Sequence, residues 1–307
     1  MNGLREVFTL FIFPGGLVLI IAALAYEWAN RKMVARLQNR IGPRWFQPTA
    51  DFVKLLAKEE VLPEQVVAGL FYALPIVALA GVLTSSLSVP LFGAPPAVSY
   101  AGDLVVTLYL VGLPTLCLGL AGSNTLGRFS LVGATRALTQ FFSYEAPFMM
   151  AMLGPALVAQ SWNIAEITAY SEGRWFILTQ PIGFVVALIG LLGKLEMPPF
   201  DAPEAQTEIV AGALTEYSGR GLALFHLAKD AELVVGLGLI AVLYLGGVST
   251  WWMFLIKTLL LLLLLAGIET LVTRLRIEQT VGLWWRYVSM LVLVQWVVTI
   301  VWEGLLL

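Results

Sequence analysis

The residues best able to do chemistry in this chain are carboxylates set among apolar neighbours. Glu145 stands in Phe141-Phe-Ser-Tyr-Glu-Ala-Pro-Phe148. Placing a carboxylate at membrane depth costs ~2.5–3.5 kcal/mol even on lenient insertion scales, so a position free to be Leu would not keep one without a use. Ion or proton handling is the favoured role, with a helix–helix hydrogen bond as the alternative. Pro147 would kink the helix nearby and free a carbonyl. A second group follows in Glu196-Met-Pro-Pro-Phe-Asp-Ala-Pro-Glu-Ala-Gln-Thr-Glu208, continuing to Thr215-Glu216-Tyr217-Ser218-Gly219. Pro198 and Pro199 force a non-helical entry. Asp201 and Glu204 can cap a helix that tolerates Pro203 in its first turn. If that helix runs to Tyr217, then Asp201, Glu204, Glu208 and Glu216 fall within ~120° of one face. Such a stripe is held on a buried wall only by shared protonation or by cations, which is what passing protons requires. Asp201 and Glu204 alone equally fit a solvated capping pair. A third group, His226, Lys229, Asp230 and Glu232, allows an i,i+4 contact between His226 and Asp230 and an i,i+3 contact between Lys229 and Glu232. Alternatively these residues snorkel at the membrane surface.

The elements that must position these residues are membrane helices. Of 307 residues, 59% are hydrophobic and 12% charged, and the mean hydropathy is +0.86. A span needs ~20 apolar residues to cross ~30 Å of hydrocarbon. Eight stretches qualify: Phe8–Tyr26, Val66–Phe92, Leu104–Gly122, Leu138–Ala159, Phe176–Leu195, Ala223–Leu245, Trp252–Val272 and Trp284–Leu306. Lipid offers backbone groups no partner, so each reads as a helix. The expectation is a single all-α integral membrane domain over residues 1–307, with about eight transmembrane helices and amphipathic cytoplasmic loop helices. The first stretch reads as a retained helix rather than a cleaved signal.

Charge placement orients the chain. Arg31, Lys32, Arg36, Arg40, Arg44, Lys54 and Lys58 follow the first span, and Arg128, Arg136, Arg220, Arg274, Arg276 and the membrane-edge Lys194 fall on the same side. The opposite side offers Arg5, Arg174 and Lys257. The positive-inside bias places the first loop in the cytoplasm and both termini outside the cell membrane. A short basic helix is expected from Ala50 to Glu60. Together Arg31, Lys32, Arg36, Arg40, Asp51, Lys54 and Lys58 form a candidate surface for docking a partner. Lys257 and Glu269 read as interfacial, and Trp251, Trp252, Trp284 and Trp285 as an aromatic belt.

The near-zero net charge argues against nucleic acid. Cys117 is the only cysteine and His226 the only histidine. One thiol cannot build a disulfide, an iron–sulfur cluster or a thiolate zinc site. No metal site or cofactor is therefore expected in this chain, and no phosphate loop, dinucleotide fingerprint or HExxH pattern is present.

Several blocks, in order along nearly the whole chain, resemble one family. They are Arg31-Lys32, Gln38-Asn-Arg40-Ile-Gly42-Pro43, Gln47-Pro48-Thr-Ala50-Asp51, Lys54-Leu-Leu-Ala-Lys58-Glu59, Ser143-Tyr144-Glu145, and Pro199-Phe200-Asp201 through Glu216-Tyr217-Ser218-Gly219. The family is the complex I membrane-arm subunit that joins the two arms, known as mitochondrial subunit 1 and, in bacteria, as the H subunit. The resemblance implies that Glu145, Asp201, Glu204, Glu208 and Glu216 belong to a polar path toward antiporter-like subunits. There are departures. Asn30 stands where the family has Glu, Met197 where it has Arg, Gln206 replaces an acid, Lys229 stands where Glu is usual, and the Pro43–Gln47 loop is short. These fall where a quinone cavity would be shaped and count against a quinone. The compact loop and the Pro-Glu-Ala-Gln-Thr-Glu run look closer to membrane-bound nickel–iron hydrogenases and their sulfur-reducing relatives. The resemblance thus implies an anchor and ion-coupling subunit with no redox centre of its own. A nickel–iron centre and iron–sulfur clusters would lie in partner large and small subunits. A quinone-reducing subunit, a stand-alone secondary transporter and a passive anchor are the rivals.

Overall fold

The computed structural model describes residues 11–13 and 15–306. The beginning of the first expected span, Phe8 to Leu10, and Arg5 lie outside the described residues. Helix α1 (Gly16–Leu37) joins the first span to the basic residues after it without a break. It stops where Asn39 and Gly42 take φ of +59° and +74°. Helix α2 (Gln47–Ala57) carries Pro48 in its first turn. It therefore starts three residues before the expected Ala50, since proline's fixed φ suits that position.

Next come α3 (Ala68–Ser85), α4 (Asp103–Asn124), α5 (Arg128–Ala159) and α6 (Ile164–Ser171). The stretch expected as one span from Phe176 to Leu195 is divided at Gln180 into α7 (Phe176–Thr179) and α8 (Pro181–Lys194). The chain continues through α9 (Gln206–Ile209), a 3-10 turn (Gly212–Leu214), α10 (Gly219–Tyr244) and α11 (Trp251–Leu271). It ends with α12 (Ile277–Gly282), a π-turn (Leu283–Val288) and α13 (Ser289–Leu306), which run on as one rod. No strand occurs among the described residues.

Helix occupies every one of the eight apolar stretches where it is described. Five helices are long and apolar enough to cross a membrane: α3, α4, α5, α11 and the Ile277–Trp302 rod. The count of eight is not established on that basis. Helix α8, with 14 residues, is only about 21 Å long at 1.5 Å per residue, while α1 carries charges in its second half and α10 as far as Glu232. Helix α10 is the hub, with every residue from Ala231 to Tyr244 buried. An all-round apolar helix has to be enclosed, and α1, α2, α3 and α11 pack around it. The 32 residues of α5 reach about 48 Å, well beyond the hydrocarbon. Part of it therefore projects past the membrane, and Glu145 lies near the middle of its length.

Candidate functional site

The segment between α8 and α10 is strapped flat across the bundle by side chains of α5 and by the α11–α12 connection. Gln140 Nε2 donates to the carbonyls of Gly193 and Phe200, at 3.2 and 2.7 Å. Arg136 donates to the Ala202 carbonyl at 3.4 Å, and the Leu275 amide to the Pro199 carbonyl at 3.0 Å. Close backbone approach is possible only because residue 133 is Gly: a Cβ there would lie 2.3 Å from the Ala213 nitrogen.

This strapping replaces the expected helix. Helix α9 covers only Gln206–Ile209, Val210 takes φ of +63°, and Gly212 at φ +55° presses on the Pro203 carbonyl. The continuous acidic stripe from Asp201 to Glu216 therefore does not form, nor does the Asp201–Glu204 helix cap. Asp201 and Glu204 turn inward. Glu208 is exposed, with Arg136 at 2.7 Å and Arg274 at 3.3 Å, beside a cavity of about 440 Å³. Glu216 lies apart, against Gly127.

A larger cavity of about 580 Å³ gathers Glu27, Arg31, Glu196, Asp201, Glu204, His226, Lys229, Asp230 and Arg274. At its centre Lys229 Nζ donates to Glu196 and Glu204, both at 2.5 Å. The expected Lys229–Glu232 contact is therefore absent: tertiary partners from the loop have captured the ammonium. His226 and Asp230 share the cavity wall, but no hydrogen bond joins them among the described residues. Glu196 was not singled out as a site residue by its sequence; its side chain is wholly buried.

The same ammonium acts differently on its two carboxylates. Burial raises Glu196 above the ordinary value, and Lys229 only partly offsets this. Burial also pushes Glu204 up, but Lys229 outweighs it and holds Glu204 below its ordinary value. Glu196 is thus the member of the triad that more readily holds a proton. Burial likewise raises Asp201 despite Arg274 at 3.4 Å. At Glu208 the Arg136 hydrogen bond, aided by Arg274, lowers the carboxyl.

Deeper in the bundle, Glu145 meets Lys194 at 2.7 Å. The lysine expected at the membrane edge is in fact wholly buried, and Glu145 is 12% exposed. Lys194 Nζ sits 5.8, 5.7 and 5.1 Å from the ring centres of Phe141, Tyr144 and Phe148. Desolvated cation–π contacts of this kind hold an ammonium without neutralising it. A Cβ on Gly112 would lie 3.0 Å from Glu145 Oε1 and 3.2 Å from Lys194 Nζ, so the glycine leaves room for the pair. Glu232, fully buried, has no hydrogen-bond partner on either oxygen among the described residues. It lies within electrostatic reach of Lys194, Lys229, Glu145 and Glu196. In order, Glu204, Lys229, Glu196, Glu232, Lys194 and Glu145 form a row of acids and bases from the cavity into the bundle, with two acids, Glu196 and Glu232, adjacent at its middle.

Of the expected docking residues, Arg31 contacts Glu27 and, at 3.6 Å, Asp51, and it faces the cavity. Lys32 donates to the Ile41 carbonyl at 2.7 Å. Arg36, Arg40, Lys54 and Lys58 are exposed. Two departures from the family pattern touch one another: Asn30 Nδ2 is 3.9 Å from Met197 Sδ. Lys257 donates to the carbonyls of Leu245 and Gly247 at the end of α10, at 2.7 and 2.6 Å.

Comparison with known proteins agrees with this architecture. The NADH dehydrogenase family matches residues 10–300. An H subunit of the NADH-quinone oxidoreductase of Syntrophobacter fumaroxidans is 34% identical over 309 residues, 93% of this chain and 92% of the relative. The corresponding NADH-quinone oxidoreductase chain of Carboxydothermus hydrogenoformans is 33% identical over 302 residues, 92% of this chain and 85% of the relative. A chain in the structure of the membrane-bound sulfane sulfur reductase, an archaeal respiratory membrane complex, superposes with a TM-score of 0.86 at 20% identity. That match covers 96% of this chain and 98% of the other. At that identity it speaks for the fold.

Proposed function

Because the chain belongs to the NADH dehydrogenase family and is a membrane subunit of a complex-I-related respiratory complex, we propose that it couples electron transfer in a hydrophilic arm to translocation of H⁺ or Na⁺. The observation that supports this best is the row of acids and bases that runs from the cavity-lining Glu204 to the enclosed Glu145. A buried charge is tolerated only when paired, and in a chain of pairs a change of protonation at one end re-weights every pair beyond it. In this reading a redox event at the arm shifts the proton shared by Glu196 and Glu204 around Lys229. Glu232 relays the change to Lys194, and Glu145 passes it to a neighbouring antiporter-like subunit. Asp201, His226 and Asp230 line the intake cavity, while Glu208 and Glu216 hold the loop above it.

The arm proposed is of the nickel–iron hydrogenase type, with its metal centres in the partner large and small subunits. The cavity favours this over a quinone-reducing role. Its wall sets carboxylates, an ammonium and guanidinium groups beside Leu195, Met197, Pro198 and Leu233, and so many charges suit water and ions better than an apolar ring and tail. Asn30 and Met197, in contact there, stand at positions where the resemblance implies Glu and Arg. The first loop, with exposed Arg36, Arg40, Lys54 and Lys58, is proposed to seat that arm on the cytoplasmic face of the cell membrane, with both termini outside.

Purified native complex analysed for co-purifying subunits and metals tests the assignment; nickel with iron–sulfur clusters is expected. Glu145→Gln and Glu232→Gln should abolish ion uptake by inverted vesicles while the arm's soluble redox activity persists. Undiminished uptake in both variants would reduce the chain to a passive anchor.

A further inference from the structure

At the end of the bundle opposite the Glu204–Lys229 cavity lies a crevice of about 590 Å³, between the Tyr170–Thr179 connection and the last turns of α13. Its walls differ from those of the charged cavity. Phe176, Leu178, Val298 and Trp302 make it apolar, and Arg174 stands at its rim. Leu178 is 80% exposed and Trp302 66%, so this apolar surface faces whatever surrounds the bundle. The Arg174 guanidinium lies 4.9 Å over the Tyr170 ring. Lys257 Nζ, bonded to the Leu245 and Gly247 carbonyls, is 5.9 Å from the ring of Trp175, which also lines the crevice. Among the described residues no carboxylate lines it.

We propose that this crevice binds one phospholipid with a net-anionic headgroup, its phosphate on Arg174 and one acyl chain between Phe176 and Trp302. Charge complementarity selects the occupant. A rim cation, with no lining acid among the described residues, attracts a lipid phosphate, as basic side chains at a membrane surface do. The flanking Trp and Tyr side chains have the amphipathic character that sits at headgroup depth. An apolar slot below a cationic rim matches the two ends of a lipid, whereas a peptide segment laid there would have to pair its backbone groups against apolar walls. The site is independent of the ion path, since none of its residues belongs to it.

The test uses the intact complex, reconstituted in nanodiscs with equal phosphatidylglycerol and phosphatidylcholine, extracted gently and weighed by native mass spectrometry. One phosphatidylglycerol retained in preference to phosphatidylcholine is expected. Arg174→Gln should lower that retention about five-fold, the weight of one basic side chain at an anionic surface, while Arg128→Gln, an exposed cation elsewhere, leaves it unchanged. Val298→Trp, which fills the slot, should remove the bound lipid of either kind. Equal retention of the two lipids, indifference to Arg174→Gln in a complex of unchanged subunit mass, or a partner-protein segment seated in the crevice of the assembled complex would each overturn the assignment.

Discussion

Replacing Lys194 by Met isolates the deepest ion pair. Removing one partner of a buried pair leaves an uncompensated charge and costs ~3–5 kcal/mol, whereas replacing both by apolar or neutral groups of similar volume is often near neutral. Here the lysine is wholly buried and Glu145 is 12% exposed, so solvent screening offers little relief. The ammonium also leaves three aromatic faces, each within 5.8 Å, at a further ~0.5–2 kcal/mol per desolvated cation–π contact. Lys194→Met and Glu145→Gln should therefore each lower the thermal midpoint of the purified complex, and the double variant should recover more than half of the summed loss. Independent sites add within ~0.3–0.5 kcal/mol, so the recovery measures the coupling. Ion uptake should be lost in all three, because stability is restored without a mobile charge. A double variant whose loss equals the sum of the singles would refute the pairing, and one that pumps would refute the role given to it.

Three further outcomes follow from the same geometry. Gly112→Val would drive side-chain atoms into Glu145 and Lys194; uptake should fall while the arm's redox rate holds, both read in the same vesicles. The family pair can be rebuilt: Asn30→Glu and Met197→Arg should each impair assembly, and the double variant should assemble better than either, since the two side chains touch; additive losses would count against the contact. The loop strap has a defined pH response. Glu208 and Glu204 sit below their ordinary value of 4.5, so their stabilisation is full above that pH and is lost as pH falls through the lowered values. Asp201 and Glu196, raised by burial, contribute below their ordinary values and lose this as pH rises through the raised ones. Acidification below about pH 4.5 should thus speed intrinsic-rate-corrected amide exchange in Phe200–Tyr217, and Arg136→Gln should flatten the part due to Glu208.

The apolar runs and the isolated acid within one of them were legible because each rests on local composition. Twenty apolar residues admit few structures in lipid, and Glu145 is conspicuous against that background. A short helix after the first span was also legible, but its expected bounds, Ala50 to Glu60, fall three residues late at each end of the observed Gln47–Ala57 because Pro48 opens the helix. The acidic stripe was not. Periodicity from Asp201 to Tyr217 suits a helix, but Gly133 and Gly212 let the loop backbone press flat against α5 and Pro203, and that packing overrides local preference. The same limit explains the pairings. Spacing of three and four proposed Lys229 with Glu232 and His226 with Asp230, whereas Lys229 bonds residues 33 and 25 positions away, and Lys194 bonds one 49 away. Partners at that separation carry no signal in one chain's periodicity.

Those pairings change the physics of the proposed path. A stripe of four acids would have to keep protons bound merely to stay buried, so its resting charge would be set by mutual repulsion. Acids interspersed with Lys229 and Lys194 are ionised at lower cost, since each carboxylate has a cation nearby. The exception is Glu232, whose oxygens have no hydrogen-bond donor among the described residues although it lies within the field of both lysines. It is the one link whose charge is supported only at a distance. A proton arriving there changes the balance between the Glu196–Lys229 and Lys194–Glu145 pairs without breaking a direct contact. Neutralising Glu232 should therefore disconnect the two pairs while leaving both formed, and spectroscopic carboxylate bands of Glu196 and Glu145 that still shift together in Glu232→Gln would contradict this.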